Sequence, residues 1–170
     1  GSITYILSGT GSENFSVSSD GTVTLASALD YETATAYEIT LTASDGDNTV
    51  SETLTINVGD INEAPTVTTT LAASSVAEDA ATGTTVATTS ASDPESSSIS
   101  YSLSGTGSDN FSVDANGNVT VASSLDYETT TSYTITLTAS DGSNSTQETI
   151  TINVSDVDEF ALALSSKLFL

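Results

Sequence analysis

The chain repeats itself. Ile3-Thr4-Tyr5 through Gly11 aligns with Ile99-Ser100-Tyr101 through Gly107, and the same offset of 96 carries Leu29-Asp30-Tyr31-Glu32 onto Leu125-Asp126-Tyr127-Glu128. Between residues 3–63 and 99–159, 41 of 61 positions are identical without a gap. One supersecondary unit therefore has to fold twice, which constrains the architecture more than any composition does. A length of 170 residues allows two small domains. By the offset, the first copy has no counterpart of residues 64–98. The expected division is 1–63 as the C-terminal part of a domain, 64–159 as a complete domain, and 160–170 as the start of a following one. On this reading the chain is a window on a longer polypeptide. The tail Phe160-Ala161-Leu162-Ala163-Leu164 alternates like a strand, enough for about one strand whether it opens a third unit or is donated to another chain.

Each copy reads as strands only. Phe111-Ser112-Val113 and Val119-Thr120-Val121 flank Asn116-Gly117, a hairpin signal because both turn residues tolerate positive φ; Asp20-Gly21 fills that turn in the first copy. Tyr133–Leu137 and Thr149–Val154 alternate apolar with polar residues, and Val76, Thr84–Val86 and Ile99–Leu103 supply further candidates. About seven strands in some 96 residues is the pattern of an immunoglobulin-like Greek-key β-sandwich, so the fold class is all-β and tandem.

Twenty-three acidic residues face one base, Lys167, for a formal net charge of −22. Such a chain repels nucleic acid and anionic membrane surfaces. With no Cys and no His, only oxygen ligands remain, and these select hard cations, calcium or magnesium. No stretch approaches the roughly 20 apolar residues of a membrane span. The acids also cluster. Most lie at turns and unit ends: Asp126 and Glu128, Asp156-Val157-Asp158-Glu159, Asp60-Ile61-Asn62-Glu63-Ala64-Pro65, Asp93-Pro94-Glu95, Asp141-Gly142 and Glu78-Asp79. Glu38, Glu52 and Glu148 sit on strands and read as solubilising surface charge.

Four of these motifs in order and in register, twice over, resemble the cadherin repeat: Leu-Asp-x-Glu, the Asp-x-Asn-Glu-Ala-Pro connector, the Asp-x-Glu loop and the Ala-x-Asp-Gly segment. The Asn-Glu-Ala-Pro connector is similar to bacterial cadherin-like repeats of large surface adhesins. The resemblance implies calcium between successive domains. By position, its ligands would be Asp30, Glu32, Asp60, Asn62, Glu63, Asp93, Glu95 and Asp141. A second set, Glu78, Asp126, Glu128, Asp156, Asp158 and Glu159, would await the next domain. Tyr31 and Tyr127 stand where many cadherins have Arg, and Glu95 where Asp is usual.

The function that follows is a calcium-stiffened extender or stalk of an extracellular or cell-surface protein, serving adhesion or filament assembly. Its partners would be neighbouring domains of the same chain or identical chains. The alternatives are a recognition module for homophilic or carbohydrate binding, or a non-catalytic linker of a larger secreted enzyme. Near-identical copies favour a spacer, because a binding face tends to be unique. Catalysis is disfavoured. Paired carboxylates could serve a glycosidase, but there is no Trp, His or Cys, and the many Ser residues have no base beside them.

Overall fold

The computed structural model describes residues 2–95 and 98–158. The chain divides into two compact units, the first ending at Ile61 and the second starting at Asn62. Glu159 and the 160–170 segment lie outside the described residues.

The first unit contains β1 (Thr4–Ser8), β2 (Phe15–Val17), β3 (Val23–Leu25), β4 (Ala36–Ser44) and β5 (Thr49–Asn57). They form an antiparallel sheet ordered β1-β4-β5 and a two-stranded ribbon, β2-β3. Phe15 and Ile39 are its buried large apolar residues, and the Phe15 ring meets Tyr37 edge-on at 5.6 Å.

The second unit adds three strands ahead of the same set: β6 (Thr66–Leu71), β7 (Val76–Ala77) and β8 (Thr85–Ser92). Then follow β9 (Ser100–Ser104), β10 (Phe111–Val113), β11 (Asn118–Val121), β12 (Ser132–Ser140) and β13 (Ser145–Ser155). Two four-stranded sheets result, β10-β11-β8-β6 and β7-β13-β12-β9. The chain changes sheets between Leu71 and Val76: β6 pairs antiparallel with β8, whereas β7 runs parallel to β13. Strand alternation sends Val119, Val121, Ile135, Leu137, Ile150, Ile152 and Val154 inward, and they form one core with Phe111 and Leu125. The all-β sandwich expected from the sequence is observed, with β6 and the short β7 dividing its opening segment.

Two local features go beyond that expectation. Single 3₁₀ turns at Ser12–Asn14 and Ser108–Asn110 each follow a glycine in the left-handed region, Gly11 and Gly107. At Gly107 a Cβ would stand 2.5 Å from the Tyr133 ring, so the aromatic ring and the turn share space that only glycine leaves open. Glu148 is also not the surface acid it reads as. It points to the same side of β13 as Ile150, is half-buried, and its Oε2 is enclosed without a hydrogen-bond partner. Period two settles this, because an acid two residues from a core isoleucine shares that residue's face.

Candidate metal centre

The second unit carries acids at two places. The first is built where β7, β13 and the loop after Leu125 meet. Pairing of β7 with the end of β13 places Val76 opposite Val154 and Ala77 opposite Ser155. The backbone of Glu78 continues this pairing by donating to the Ser155 carbonyl at 3.1 Å. Its side chain is thereby carried inside, at 7% exposure. There Oε2 accepts from the Tyr127 N–H at 2.8 Å and Oε1 from the Val157 N–H at 2.7 Å. Glu78 therefore pins the Asp126–Glu128 loop and the segment after β13 to one point. Glu78, Glu128 and Asp156 each offer a carboxylate oxygen within 4.8 Å of the others.

Asp126 has a different role. Its Oδ1 accepts from the Thr129 N–H and its Oδ2 from the Thr129 hydroxyl, both at 2.9 Å, while Thr130 N–H donates to its carbonyl. It folds the turn that presents Glu128. Each oxygen keeps a second lone pair for a cation. Asp158 is exposed and is not among the three converging acids.

The second place lies at the start of the unit. Asn62 Nδ2 donates to Asp141 Oδ2 at 2.6 Å, and Asn144 Nδ2 donates to the Asn62 carbonyl at 2.7 Å. Glu63 N–H donates to Glu95 Oε2 at 3.3 Å, and Glu95 Oε1 is enclosed without a hydrogen-bond partner. Asp93, half-buried, closes β8 on the other side of Pro94. The Asp141 carboxyl lies below the usual carboxylate range, chiefly because the Asn144 N–H donates to it, then through Asn62 and the Ser143 N–H. These bonds favour the charged form, as a metal ligand requires. Asn144 was not among the residues singled out from sequence. Its signal was present, since Asp-Gly-x-Asn occurs in both copies, at 45–48 and 141–144.

In the first unit, Asp30 repeats the turn of Asp126, accepting from the Thr33 N–H at 3.1 Å and the Thr33 hydroxyl at 3.0 Å. Those bonds, the hydroxyl first, lower its pKa. Glu32 and Asp60 bring carboxylate oxygens within 4.8 Å of each other.

Three carboxylates this close repel by about 1 kcal/mol per pair in water and about 4 kcal/mol at an effective dielectric near 20. Oxygen-only donors at that spacing suit a hard divalent cation, and the donor set fits calcium.

The fold defines a tandem β-sandwich repeat with acidic clusters at its loops, and known proteins match it. The Cadherin domain model matches residues 1–59 and 73–155. Mouse Protocadherin Fat 4 is 36% identical over 140 residues, which is 76% of this chain and 3% of that protein. Its human counterpart is 36% identical over 121 residues, 66% of this chain and 2% of that protein. Among solved structures, Protocadherin Gamma B2 extracellular cadherin domains 3-6 align with a TM-score of 0.67 at 25% identity, covering 92% of this chain and 40% of that one. Human Protocadherin-24 EC1-2 aligns with a TM-score of 0.61 at 28% identity, covering 91% and 83%. The chain belongs to the cadherin family. It spans only a few per cent of the length of the curated relatives it matches.

Proposed function

We propose that this chain is a calcium-stiffened extender of an extracellular or cell-surface protein, acting in adhesion or in assembly of a surface filament. The observation that carries this reading is the group Glu78, Glu128 and Asp156, three oxygen donors held together partly by two backbone N–H groups. Bound calcium supplies the positive charge that turns their repulsion into a crosslink. Asp30, Glu32 and Asp60 on one side of the connector, with Asn62, Glu63, Asp93, Glu95 and Asp141 on the other, are the proposed ligands that would stiffen successive units. Asp126, Asp158 and Glu159 would complete the set around Glu78.

An extracellular place for the chain rests on its match to domains described as extracellular cadherin domains. A calcium affinity of ~10⁻⁴–10⁻³ M, that of extracellular calcium modules, is then expected. Partners are then neighbouring domains of the same chain or identical chains, and no catalytic role is proposed. A bacterial-adhesin subtype is supported by Asn62-Glu63-Ala64-Pro65 alone, whereas the relatives that match are animal proteins.

Calorimetric titration of the whole chain with calcium tests the reading, together with melting in calcium, in magnesium and in chelator. Saturable binding in that affinity range and a calcium-specific rise in melting temperature are expected. Superimposable melting curves in all three conditions would remove calcium from the account.

A further inference from the structure

The two copies agree at 41 of 61 aligned positions, so a place where they diverge in one chemical direction stands out. The run into β12 is such a place. Thr130, Ser132 and Thr134 stand where the first copy has Ala34, Ala36 and Glu38. Each change adds a hydroxyl, and the last also removes a charge. The three residues line an open groove of about 650 Å³ together with Thr106, Asn110 and the Tyr133 ring. It forms where β9 stops: β9 pairs with Thr136–Ser140 of β12, and beyond Ser104 the Gly107 turn takes its place beside Tyr133.

No residue lining the groove is charged, in a chain with 23 acids. Two of its walls are preset. Asn110 Nδ2 donates to the Gly107 carbonyl at 3.3 Å, and its Oδ1 accepts from the Ser123 hydroxyl at 2.7 Å. The half-buried Tyr133 ring meets Phe111 edge-on at 5.3 Å. The hydroxyls of Thr106, Thr130, Ser132 and Thr134, by contrast, make no hydrogen bond to other described residues. A hydroxyl both donates and accepts, and a tyrosine offers an apolar ring with a polar tip. An apolar peptide would leave those hydroxyls without partners, and an anion would meet the field of a −22 chain. We infer that this groove of the second unit binds a neutral saccharide of one or two rings. The ring C–H groups pack on Tyr133, and the sugar hydroxyls exchange hydrogen bonds with Thr106, Thr130, Ser132 and Thr134. The groove falls in the roughly 300–1,000 Å³ range of small-ligand sites. Affinity is weak, on the order of 1 mM, because each bond to the sugar replaces one to water.

The inference does not rest on calcium, and its test uses the whole chain. Glucose, galactose, mannose, N-acetylglucosamine, maltose and cellobiose are each titrated to tens of millimolar, with amide chemical shifts followed by NMR. At least one should shift the amides of residues 106–110 and 129–134 saturably, in calcium and in chelator alike. The matching amides of the first copy, 10–14 and 33–38, should stay in place. The triple variant Thr130→Ala, Ser132→Ala, Thr134→Glu installs the first copy's residues. It should bind at least about tenfold more weakly, a loss of about 1.4 kcal/mol, with an unchanged melting temperature. Ser132→Ala alone, at an exposed position, should lose several-fold and guards against a folding defect in the triple variant. No saturable shift with any of the six sugars overturns the inference, as do equal shifts with glycerol or equal shifts in both copies. Binding that requires calcium would place the sugar on the acids instead, and undiminished binding by both variants would place it outside the groove.

Discussion

A glutamate only 7% exposed is tolerable when its oxygens are answered, and Glu78 is answered by two backbone N–H groups. It therefore serves the fold as well as the proposed calcium, while Glu128, which is exposed, would serve chiefly that ion. Glu78→Ala should lower stability in chelator by about 2–4 kcal/mol, because two part-buried donors lose their acceptor, and should remove the share of the calcium-dependent rise that comes from this group. Glu128→Gln should cost under about 0.5 kcal/mol in chelator yet still reduce the calcium-dependent rise. Urea unfolding with and without calcium separates the two; equal behaviour of both variants would contradict the assignment.

A second residue-scale prediction concerns acid, away from the metal sites. Asp20 is lowered from 3.8 to about 2, first by the Ser18 hydroxyl and then by the Thr22 N–H. Because the folded value lies below the unfolded one, the unfolded chain takes up the proton first on acidification. The stability contributed by Asp20 is thus complete above about pH 4 and is lost as the pH falls towards 2. The stability difference between the parent and Asp20→Ala should be constant from pH 7 to about 4.5 and shrink below that, as read by urea unfolding at each pH. At this scale the sequence exposed the identities and spacing of the candidate ligands. It did not expose which acids spend their lone pairs on turns, as Asp126 and Asp30 do on Thr129 and Thr33, because a hydrogen bond to a neighbour's N–H leaves no compositional mark.

Among the elements, the strands with strict alternation were legible and β6 was the least so. Thr66-Val67-Thr68-Thr69-Thr70-Leu71 offers a single inward apolar residue, Val67, so its pattern is written in threonines rather than in hydrophobicity. It is a strand nonetheless because its ladder to β8 matches hydroxyls across the pair, with Thr66 and Ser92 Oγ atoms 2.8 Å apart. The hairpin between β10 and β11 was legible from Asn116-Gly117. Its structure adds Asp114, whose Oδ1 accepts from the Asn116 and Asn118 N–H groups, both at 2.9 Å. Gly117 takes φ 81°, and a Cβ there would lie 2.8 Å from the Thr89 carbonyl oxygen. Gly117→Ala should destabilise the second unit by at least about 1–2 kcal/mol, the cost of left-handed backbone alone. Gly142→Ala is the matched control, with φ 100° but nothing within 4 Å of its Cβ. It should cost only the conformational part, and thermal melting of the two variants would show the difference as the contact with Thr89. Equal costs would mean that β8 shifts to make room.

For the molecule as a whole, a net charge of −22 opposes its own compaction, and the proposed calcium would offset part of that repulsion. The repeat supplies an internal control. Asp45 and Asp141 form the same turn: Asp45 Oδ1 accepts from the Asp47 and Asn48 N–H groups, and Asp141 Oδ1 from those of Ser143 and Asn144. Both carboxyls are lowered in pKa, each first by the N–H of its turn asparagine. They differ in that Asp141 also meets Asn62 of the connector. Replacing either by Asn keeps an oxygen for the turn and removes one charge, while Asp141→Asn also takes the acceptor from Asn62 Nδ2, so its local cost without calcium should be the larger. Asp141→Asn should weaken calcium binding by on the order of tenfold, about 1.4 kcal/mol, and should leave the chain more flexible at a given calcium concentration. Asp45→Asn should leave both quantities within error of the parent. Calorimetric titration gives the affinity, and small-angle scattering across the same calcium series gives the flexibility. Equal loss in both variants would place the connector's calcium elsewhere and reduce Asp141 to a turn residue.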